Sequence, residues 1–281
     1  MKKIAVTGGS GKLGSQLVHA LQQQGYEVTS LDNRMSDQLH CRKIQVDLND
    51  FGQVASALHG ADAIVHLAAI PAPLFHPYPY IFANNVLGSY HILEAASVLG
   101  ISKVVMGSSE SSYGFAWAPE PFSPDYLPLD EAHPQKPQEC YGLSKVVGET
   151  TAEMFWRRTG MQVISLRFSM ITRPEEYPSF ARRDPKSFKT ILWSYIDIRD
   201  AVRACIASLE AENCGAVSLN ITADDTLSHW ETKELLAEFY PEVTELRSVF
   251  ADRTAVVSNA KAKSVLNWKP QYSWADHLSS E

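Results

Sequence analysis

The sequence of 281 residues predicts an α/β fold in which a doubly wound parallel sheet carries helices on both faces. Three observations support this prediction. Short apolar runs alternate with helix-like segments as far as residue 168. A glycine-rich turn separates the first apolar run from the first helix-like segment. Hydrophobic residues make up 45% of the chain, which is enough for a large packed core.

The predicted strands are short apolar runs that end at glycines or polar residues. They cover residues 3–7, 26–32, 43–48, 62–69, 103–109 and 162–168. Segments with apolar side chains at helical spacing separate several of these strands. They cover residues 12–25, 50–59, 81–99 and 141–159. Strands that alternate with helices predict a parallel sheet, because each return to a parallel strand requires a crossover connection.

After residue 168 the alternation loosens, which predicts a second, smaller unit. Residues 172–190 are polar and contain prolines, so we expect an irregular segment there. A short strand leading into a helix is predicted at 195–211, a strand at 216–221, and helices at 227–240 and 259–268. The predicted organisation is a dinucleotide-binding domain of residues 1–168, to which 195–211 returns, and a small C-terminal substrate lobe of residues 169–281.

Charge and cysteine content restrict the classes of partner. The net charge is −7 and no dense Lys/Arg cluster occurs, which argues against nucleic acid or an anionic membrane as the main partner. The four cysteines are far apart, which is typical of reduced thiols rather than of disulfides or a zinc site, so we expect no metal. No apolar run approaches the roughly 20 residues of a membrane span. These features predict a cytoplasmic protein.

The stretch "GGSGKLG" allows two phosphate-binding interpretations. An ATP-type loop has the pattern G-x-x-x-x-G-K-[ST]. Its first glycine lies five residues before the second, and Ser or Thr follows the lysine. Here Leu13 follows Lys12, and Val6 stands where the first glycine would be, so that interpretation fails. Glycines spaced by three between a strand and a helix instead indicate a Rossmann-type dinucleotide site. The residues expected at the diphosphate are Gly8, Gly11, Lys12, Leu13 and Gly14.

Asp32, at the end of the second predicted strand, indicates which dinucleotide binds. A carboxylate at this position accepts hydrogen bonds from the adenosine ribose hydroxyls and repels a 2′-phosphate. The sequence therefore favours NAD over NADP, with Asn33 and Arg34 beside the ribose. Arg34 keeps NADP as a less favoured alternative, and Asp32 is alternatively an ordinary turn residue.

Tyr141 and Lys145 in "YGLSK" lie one helical turn apart, on the same face of a helix. A phenol has a pKa near 10 and is a poor base at neutral pH. A neighbouring ammonium group and the positive nicotinamide ring would both favour the phenolate. Lowering the pKa to about 7 requires roughly 4 kcal/mol of such interactions. The alternative is a solvated pair at the start of an amphipathic helix.

At this point the chain resembles a known family. It carries, in order, "TGGSGKLG", "LDN", "VDL", "HLAA", "NNVLGSYHILEAA", "SSESSYG", "YGLSK" and "YIDIRDAVRA". This combination is similar to that of extended short-chain dehydrogenases/reductases of the NAD-dependent epimerase/dehydratase family. The resemblance covers nearly the whole chain.

The resemblance implies roles for further residues. Ser109 would hydrogen-bond the reacting oxygen, Tyr141 would be the general base or acid, and Lys145 its partner. It also implies a homodimer through helices 81–99 and 141–159. Other residues implied at the cofactor are Asp47 and Leu48 by the adenine, Leu67, Ala68 and Ala69 along the diphosphate and ribose, and Asn85 beneath the active site.

The substrate is less constrained. The stretch between Arg167 and Tyr195 is short, which resembles the uronate dehydrogenases of the same superfamily, so our leading hypothesis is an NAD-dependent dehydrogenase of a sugar or sugar acid. One alternative is a nucleotide-sugar 4-epimerase or dehydratase with tightly bound NAD, and another is a non-catalytic dinucleotide-binding protein. The residues considered for the substrate are Ser109, Ser111 and an arginine among Arg173, Arg182 and Arg183. Aromatic residues of the loop 114–140 either cover the substrate or anchor the loop; they are Phe115, Trp117, Phe122 and Tyr126.

Overall fold

The computed structural model describes residues 2–181 and 183–277, and within these ranges seven parallel strands form the main sheet. All strands of the described residues, in chain order, are β1 (Lys3–Thr7), β2 (Glu27–Asp32), β3 (Arg42–Gln45), β4 (Ala63–His66), β5 (Lys103–Ser109), β6 (Gln162–Phe168), β7 (Met170–Thr172), β8 (Tyr195–Asp197) and β9 (Ala216–Ile221). The order across the main sheet is β3-β2-β1-β4-β5-β6-β9, and β7 pairs with β8 in a separate small sheet. The predicted α/β fold with a parallel sheet is confirmed.

Helices cover both faces of the main sheet. The helices of the described residues are α1 (Lys12–Gln23), α2 (Phe51–Leu58), α3 (Tyr78–Val98), α4 (Cys140–Thr159), α5 (Tyr177–Ala181), α6 (Ile198–Glu210), α7 (Thr232–Phe239) and α8 (Ala260–Leu266). Helices α1, α6 and α8 pack on one face, and α2, α3 and α4 pack on the other. The side chains of β1 alternate between the two faces of the sheet, as the two-residue period of a strand requires. Ile4 and Val6 pack in the first core, on the side of α1, α6 and α8, and Ala5 packs in the second core, on the side of α2, α3 and α4.

A third apolar core lies in the C-terminal part of the chain. It contains the fully buried Trp193 and Trp274 together with side chains of α7. The long loop 114–139 joins this core through Phe115, Leu127 and Leu129. Phe115 and Tyr126 pack against the His133 ring, so these aromatic residues anchor the loop.

The structure corrects the predicted C-terminal elements. The strand Ala216–Ile221, assigned to the C-terminal lobe, pairs with β6 and ends the main sheet. Of the segment 195–211, α6 returns to the first core, whereas β8 pairs with β7 outside the main sheet. Long-range strand pairing decides both placements. Helix α7 begins at Thr232 rather than at residue 227, because Glu231 and Glu234 form a capping box there. The segment 172–190 contains α5 and two 3-10 turns and is not wholly irregular.

The exposed faces of α3 and α4 carry apolar side chains. Leu87, Tyr90 and Leu143 each expose more than a third of their surface. The predicted homodimer through these helices stays a prediction. Among the described residues, no helix combines the length and the apolar character needed to cross a bilayer.

A buried ion pair ties the main sheet to α4. The Arg167 guanidinium on β6 donates to both carboxylate oxygens of Glu149 on α4, with a shortest N–O distance of 2.7 Å. Ser108 at the end of β5 donates to the same carboxylate at 2.5 Å. Arg167 also donates to the Tyr113 hydroxyl at 2.8 Å, which in turn donates to Asn220 on β9. Because the Arg167 and Glu149 side chains are both buried, removing either charge leaves the other one buried without a partner.

We therefore expect Arg167→Met to lower the free energy of unfolding by about 3–5 kcal/mol, because it leaves the Glu149 carboxylate buried without its partner. Urea unfolding followed by tryptophan fluorescence measures this change. Arg157→Met is the matched control, because Arg157 pairs with Glu153 on the exposed surface of α4. That change should cost less than about 1 kcal/mol. Equal losses of unfolding free energy in Arg167→Met and Arg157→Met would contradict a stabilising role of the buried ion pair.

Candidate active site

A cavity of about 1160 Å³ opens at the carboxyl edge of the main sheet. The ends of β2 and β5, the glycine loop (residues 8–14), the start of α4 and the outer wall (residues 168–191) contribute to its lining. Pockets for a single small ligand usually measure about 300–1,000 Å³. This cavity is larger, which suits a dinucleotide together with a second small molecule.

The glycine loop places bare backbone at one end of the cavity. Gly8 has a φ of +69°, and a side chain there would lie 2.7 Å from the backbone nitrogen of Ala68. A methyl group on Gly14 would overlap the Gly8 carbonyl. Helix α1 starts directly after Gly11, and no side chain caps its first turn. The N–H groups of that turn are thus available to a diphosphate, so the loop fits a dinucleotide.

Asp32 is held by the backbone at the end of β2. Its carboxylate accepts hydrogen bonds from the N–H groups of Ser10, at 3.0 Å, and Arg34, at 3.2 Å. Two acceptor positions of the carboxylate remain for ribose hydroxyls. The other predicted cofactor residues that line the cavity are Asn33, Arg34, Asp47, Leu48, Leu67, Ala68 and Ala69. What each of them binds stays a prediction.

Lys12 has partners that the sequence did not suggest. Its ammonium group donates to the Ile171 carbonyl at 2.8 Å and pairs with the Glu176 carboxylate at 2.7 Å. Lys12 still lines the cavity, but its charge is compensated by the outer wall. The side chain therefore joins the glycine loop to the outer wall.

Helix α4 positions Tyr141 and Lys145. Glu139 caps the helix by accepting hydrogen bonds from the N–H groups of Tyr141, at 2.5 Å, and Gly142, at 2.6 Å. Lys145 follows one turn later, and its nitrogen lies 5.5 Å from the centre of the Tyr141 ring. The Lys145 ammonium also donates to the Gly107 carbonyl at 2.7 Å. Both side chains line the cavity.

Ser109 completes the group at the end of β5. Its hydroxyl donates to the Ser111 hydroxyl at 3.2 Å and accepts the N–H of Ser111 at 3.1 Å. Ser109 and Ser111 both line the cavity, as the phenol and the ammonium group do. A hydroxyl, a phenol and an ammonium group thus line the cavity on the side of β5, which lies three strands from β2 and Asp32 in the sheet.

The protonation of this group follows from its burial. Burial raises the pKa of Tyr141 to about 12; the hydrogen bond with Ser109 opposes this shift, and the carboxyls of Glu139 and Glu110 add to it. Burial lowers the pKa of Lys145 to about 8, opposed by Glu149. The ammonium group alone therefore does not make Tyr141 acidic, and the phenol needs the additional positive charge expected from the oxidised cofactor.

Two predicted residues lie outside the lining. Asn85 is buried, and its amide accepts from the N–H of Ile70 at 2.8 Å and donates to the carbonyl of the same residue at 3.1 Å. It therefore positions the loop beside the cavity. Arg173 is not part of the cavity wall either, whereas Arg183 is. Arg182 lies outside the described residues.

Some residues that the fold brings into the cavity wall were not predicted from the sequence. Glu110 lies there beside Ser109, and the outer wall adds Phe188 and Thr190. The position of Glu110 directly after Ser109 was a usable signal. Of the loop aromatics, Trp117 lines the cavity, Phe115 and Phe122 pack in or against the third core, and Tyr126 packs against the His133 ring. Among the described residues no cluster of three or more metal-ligating side chains occurs.

We expect Gly14→Ala to weaken NAD binding at least about tenfold, because the added methyl group must displace the Gly8 carbonyl and overpacking of this kind costs about 1–3 kcal/mol. Titration with NADH, followed by its fluorescence, measures the dissociation constant. Gly148→Ala on α4 is the control, since its nearest new contact is an ordinary 3.7 Å to Met106. Unchanged affinity in Gly14→Ala would contradict the assigned role of the loop.

Comparison with known proteins agrees with this geometry. A UDP-glucose 4-epimerase from Lacticaseibacillus casei is 28% identical over 98% of this chain and 94% of its own length. An L-arabinose 1-dehydrogenase (NAD(P)(+)) from Haloferax volcanii is 32% identical over 63% of this chain and 70% of its own. A uronate dehydrogenase from Pseudomonas putida is 31% identical over 59% of each chain.

A solved short-chain dehydrogenase/reductase superfamily protein from Agrobacterium tumefaciens, with bound NAD, has the same fold. It aligns with a TM-score of 0.77 over 99% of this chain and 95% of its own, at 23% identity. Residues 4–221 match the model of the NAD dependent epimerase/dehydratase family. The chain is therefore a member of the NAD-dependent epimerase/dehydratase family, and its cofactor is NAD.

Proposed function

We propose that this protein is an NAD-dependent dehydrogenase that oxidises a hydroxyl group of a sugar or sugar acid. One observation carries the proposal: Ser109, Tyr141 and Lys145 line the same cavity as the glycine loop and Asp32. A phenol, a hydroxyl and an ammonium group at one end of a dinucleotide site suit proton transfer from a substrate alcohol.

In the proposed reaction, the Tyr141 phenolate removes the proton of the substrate hydroxyl. The Ser109 hydroxyl hydrogen-bonds the same substrate oxygen and keeps it beside Tyr141. The Lys145 ammonium group favours the phenolate electrostatically, and its bond to the Gly107 carbonyl fixes its position. Bound NAD supplies the hydride acceptor. In the reverse direction Tyr141 returns the proton to the oxygen.

A second candidate is a nucleotide-sugar 4-epimerase or dehydratase, in which NAD stays bound between cycles. The Lacticaseibacillus casei epimerase supports it, because that relative matches nearly the whole chain. The short outer wall favours the dehydrogenase, because it offers few contacts for a nucleoside diphosphate. NAD retained through gel filtration, together with thermal stabilisation by UDP-glucose, would select the epimerase.

The proposal extends to partners and location. Ser111 is proposed to contact the substrate, and the exposed apolar side chains of α3 and α4 support a homodimer. Arg173 is proposed as a carboxylate ligand on the sequence alone. All four cysteines, which lie in the described part of the chain, are free thiols, which supports the reducing cytoplasm as the location.

Tyr141→Phe should abolish turnover and leave NAD affinity nearly unchanged, because it removes only the proton-transferring hydroxyl. NADH formation at 340 nm with a panel of aldoses and sugar acids measures turnover, and an NADH titration measures affinity. Turnover in Tyr141→Phe equal to that of the wild type would exclude Tyr141 as the base. A wild type that binds NAD but oxidises no member of the panel would favour the non-catalytic alternative.

We also expect kcat/KM for oxidation to rise with pH. The deprotonated phenol is the active form, and burial raises the pKa of Tyr141, so the active form is scarce at neutral pH. Lys145→Met removes a positive charge and should shift the rise to higher pH by about 1–3 units. The pH dependence of the initial rate tests this. Lys136→Met, at an exposed ion pair with Asp125, is the control, and a profile unmoved by Lys145→Met would exclude the role of that charge.

A further inference from the structure

Glu110 brings a carboxyl group to the catalytic end of the cavity. It follows Ser109 directly and begins the 3-10 turn Glu110–Tyr113, which leads out of β5. Its side chain lines the cavity together with those of Ser109 and Tyr141. Glu110 has no role in the proposed reaction, so its position in the cavity wall needs another explanation.

Ser194, just beyond the outer wall, holds this carboxyl group in place, because its hydroxyl donates to the carboxylate. A carboxylate accepts about four hydrogen bonds, so this contact leaves room for another donor. Because Glu110 lines the cavity, that donor can come from a bound molecule.

The surroundings of Glu110 are polar but contain little positive charge. Hydroxyl groups of Ser109, Ser111 and Thr190 lie in the same wall. Arg183 also reaches the cavity, but it is exposed and packs over the Phe180 and Phe188 rings at 5.4 and 5.8 Å. Water therefore screens its charge.

The charge of Lys145 is already engaged. Its ammonium group donates to the Gly107 carbonyl, and the Glu149 carboxyl acts on it from the next turn of α4. Of the charges near Tyr141, those of Glu110 and Glu139 are negative when ionised, and both raise the pKa of the phenol. A second negative charge on the substrate would add to this unfavourable field.

We propose that Glu110 determines substrate specificity: its carboxyl group accepts a hydrogen bond from a hydroxyl of an uncharged sugar and disfavours a sugar acid. This inference rests on the proposed function and narrows it, since it selects the neutral sugar of the two substrate classes. The geometry is that of a sugar-binding carboxyl group, with a hydroxyl acceptor beside the residues that bind the reacting oxygen.

The discrimination against a sugar acid requires the ionised form of Glu110. Burial raises the pKa of Glu110 to about 8, with the hydrogen bonds from Ser194, Ser169 and Met170 opposing the shift. Above that pH the carboxyl group is ionised, and a bound carboxylate then lies against a like charge, which weakens its binding. A neutral sugar is not repelled in either state of Glu110, because its hydroxyls both donate and accept hydrogen bonds.

Matched substrates test the inference. D-galactose and D-galacturonate differ only at C6, as do D-glucose and D-glucuronate, so each pair isolates the charge. At about pH 9, where Glu110 is ionised, we expect the wild type to prefer the neutral member by at least about tenfold in kcat/KM, measured as NADH formation. Glu110→Gln keeps the shape of the side chain and removes its negative charge. Glu110→Gln should lower the ratio of kcat/KM for the neutral sugar to kcat/KM for its acid about tenfold, mainly through a lower KM for the acid.

Glu120→Gln is the matched control, because it makes the same change of charge at an exposed residue of the loop 114–139. It should leave the preference as in the wild type. A wild type that prefers the acids would overturn the inference even if Glu110→Gln did not fold. An unchanged preference in a folded Glu110→Gln variant would overturn it as well.

Sugar binding, measured by thermal shift of the NADH-loaded protein, separates the inference from the proposed function. Binding of galactose or glucose in preference to its acid, without NADH formation, would overturn the dehydrogenase proposal and support the role of Glu110. Absence of both turnover and binding for every sugar of the panel would overturn both.

Discussion

Because the strands of the main sheet run parallel, their carboxyl ends lie along one edge, and the cavity depends on this arrangement. The chain leaves β1 at Gly8, β2 at Asp32 and β5 at Ser109, and all three positions line the cavity. Residues that are distant in sequence thus line one cavity. Parallel pairing therefore does more than stabilise the core, because it decides which side chains share one site.

Buried charges hold the catalytic end of this site. Glu139 caps the first turn of α4, which contains Tyr141. The ion pair of Glu149 with Arg167 fixes the same helix against β6. Removing a buried charge from its partner is costly, so the helix has little freedom to shift. The position of Lys145 relative to the phenol follows from this rigidity rather than from a direct bond between the two. Preorganisation of this kind is what proton transfer requires.

The sequence predicted the parts of the site that depend on local spacing. The glycine loop, Asp32 and the Tyr141–Lys145 turn each lie within a few residues, and strand and helix periods place them. Contacts between distant segments were beyond such reasoning: Lys12 pairs with Glu176, and Ala216–Ile221 joins the main sheet as β9. The high pKa of Tyr141 could not be predicted from local spacing either, because tertiary structure determines the burial of the phenol and the carboxyl groups around it.

The proposed reaction requires that one dinucleotide extend from the first turn of α1 to Tyr141. A crystal structure with NAD and a bound sugar would show whether it does. We expect the diphosphate at the N–H groups that follow Gly11 and the nicotinamide beside Lys145. We also expect the Tyr141 hydroxyl about 2.6–3.2 Å from a sugar oxygen. A diphosphate bound away from the glycine loop, or a nicotinamide that does not reach Tyr141, would rule out this arrangement.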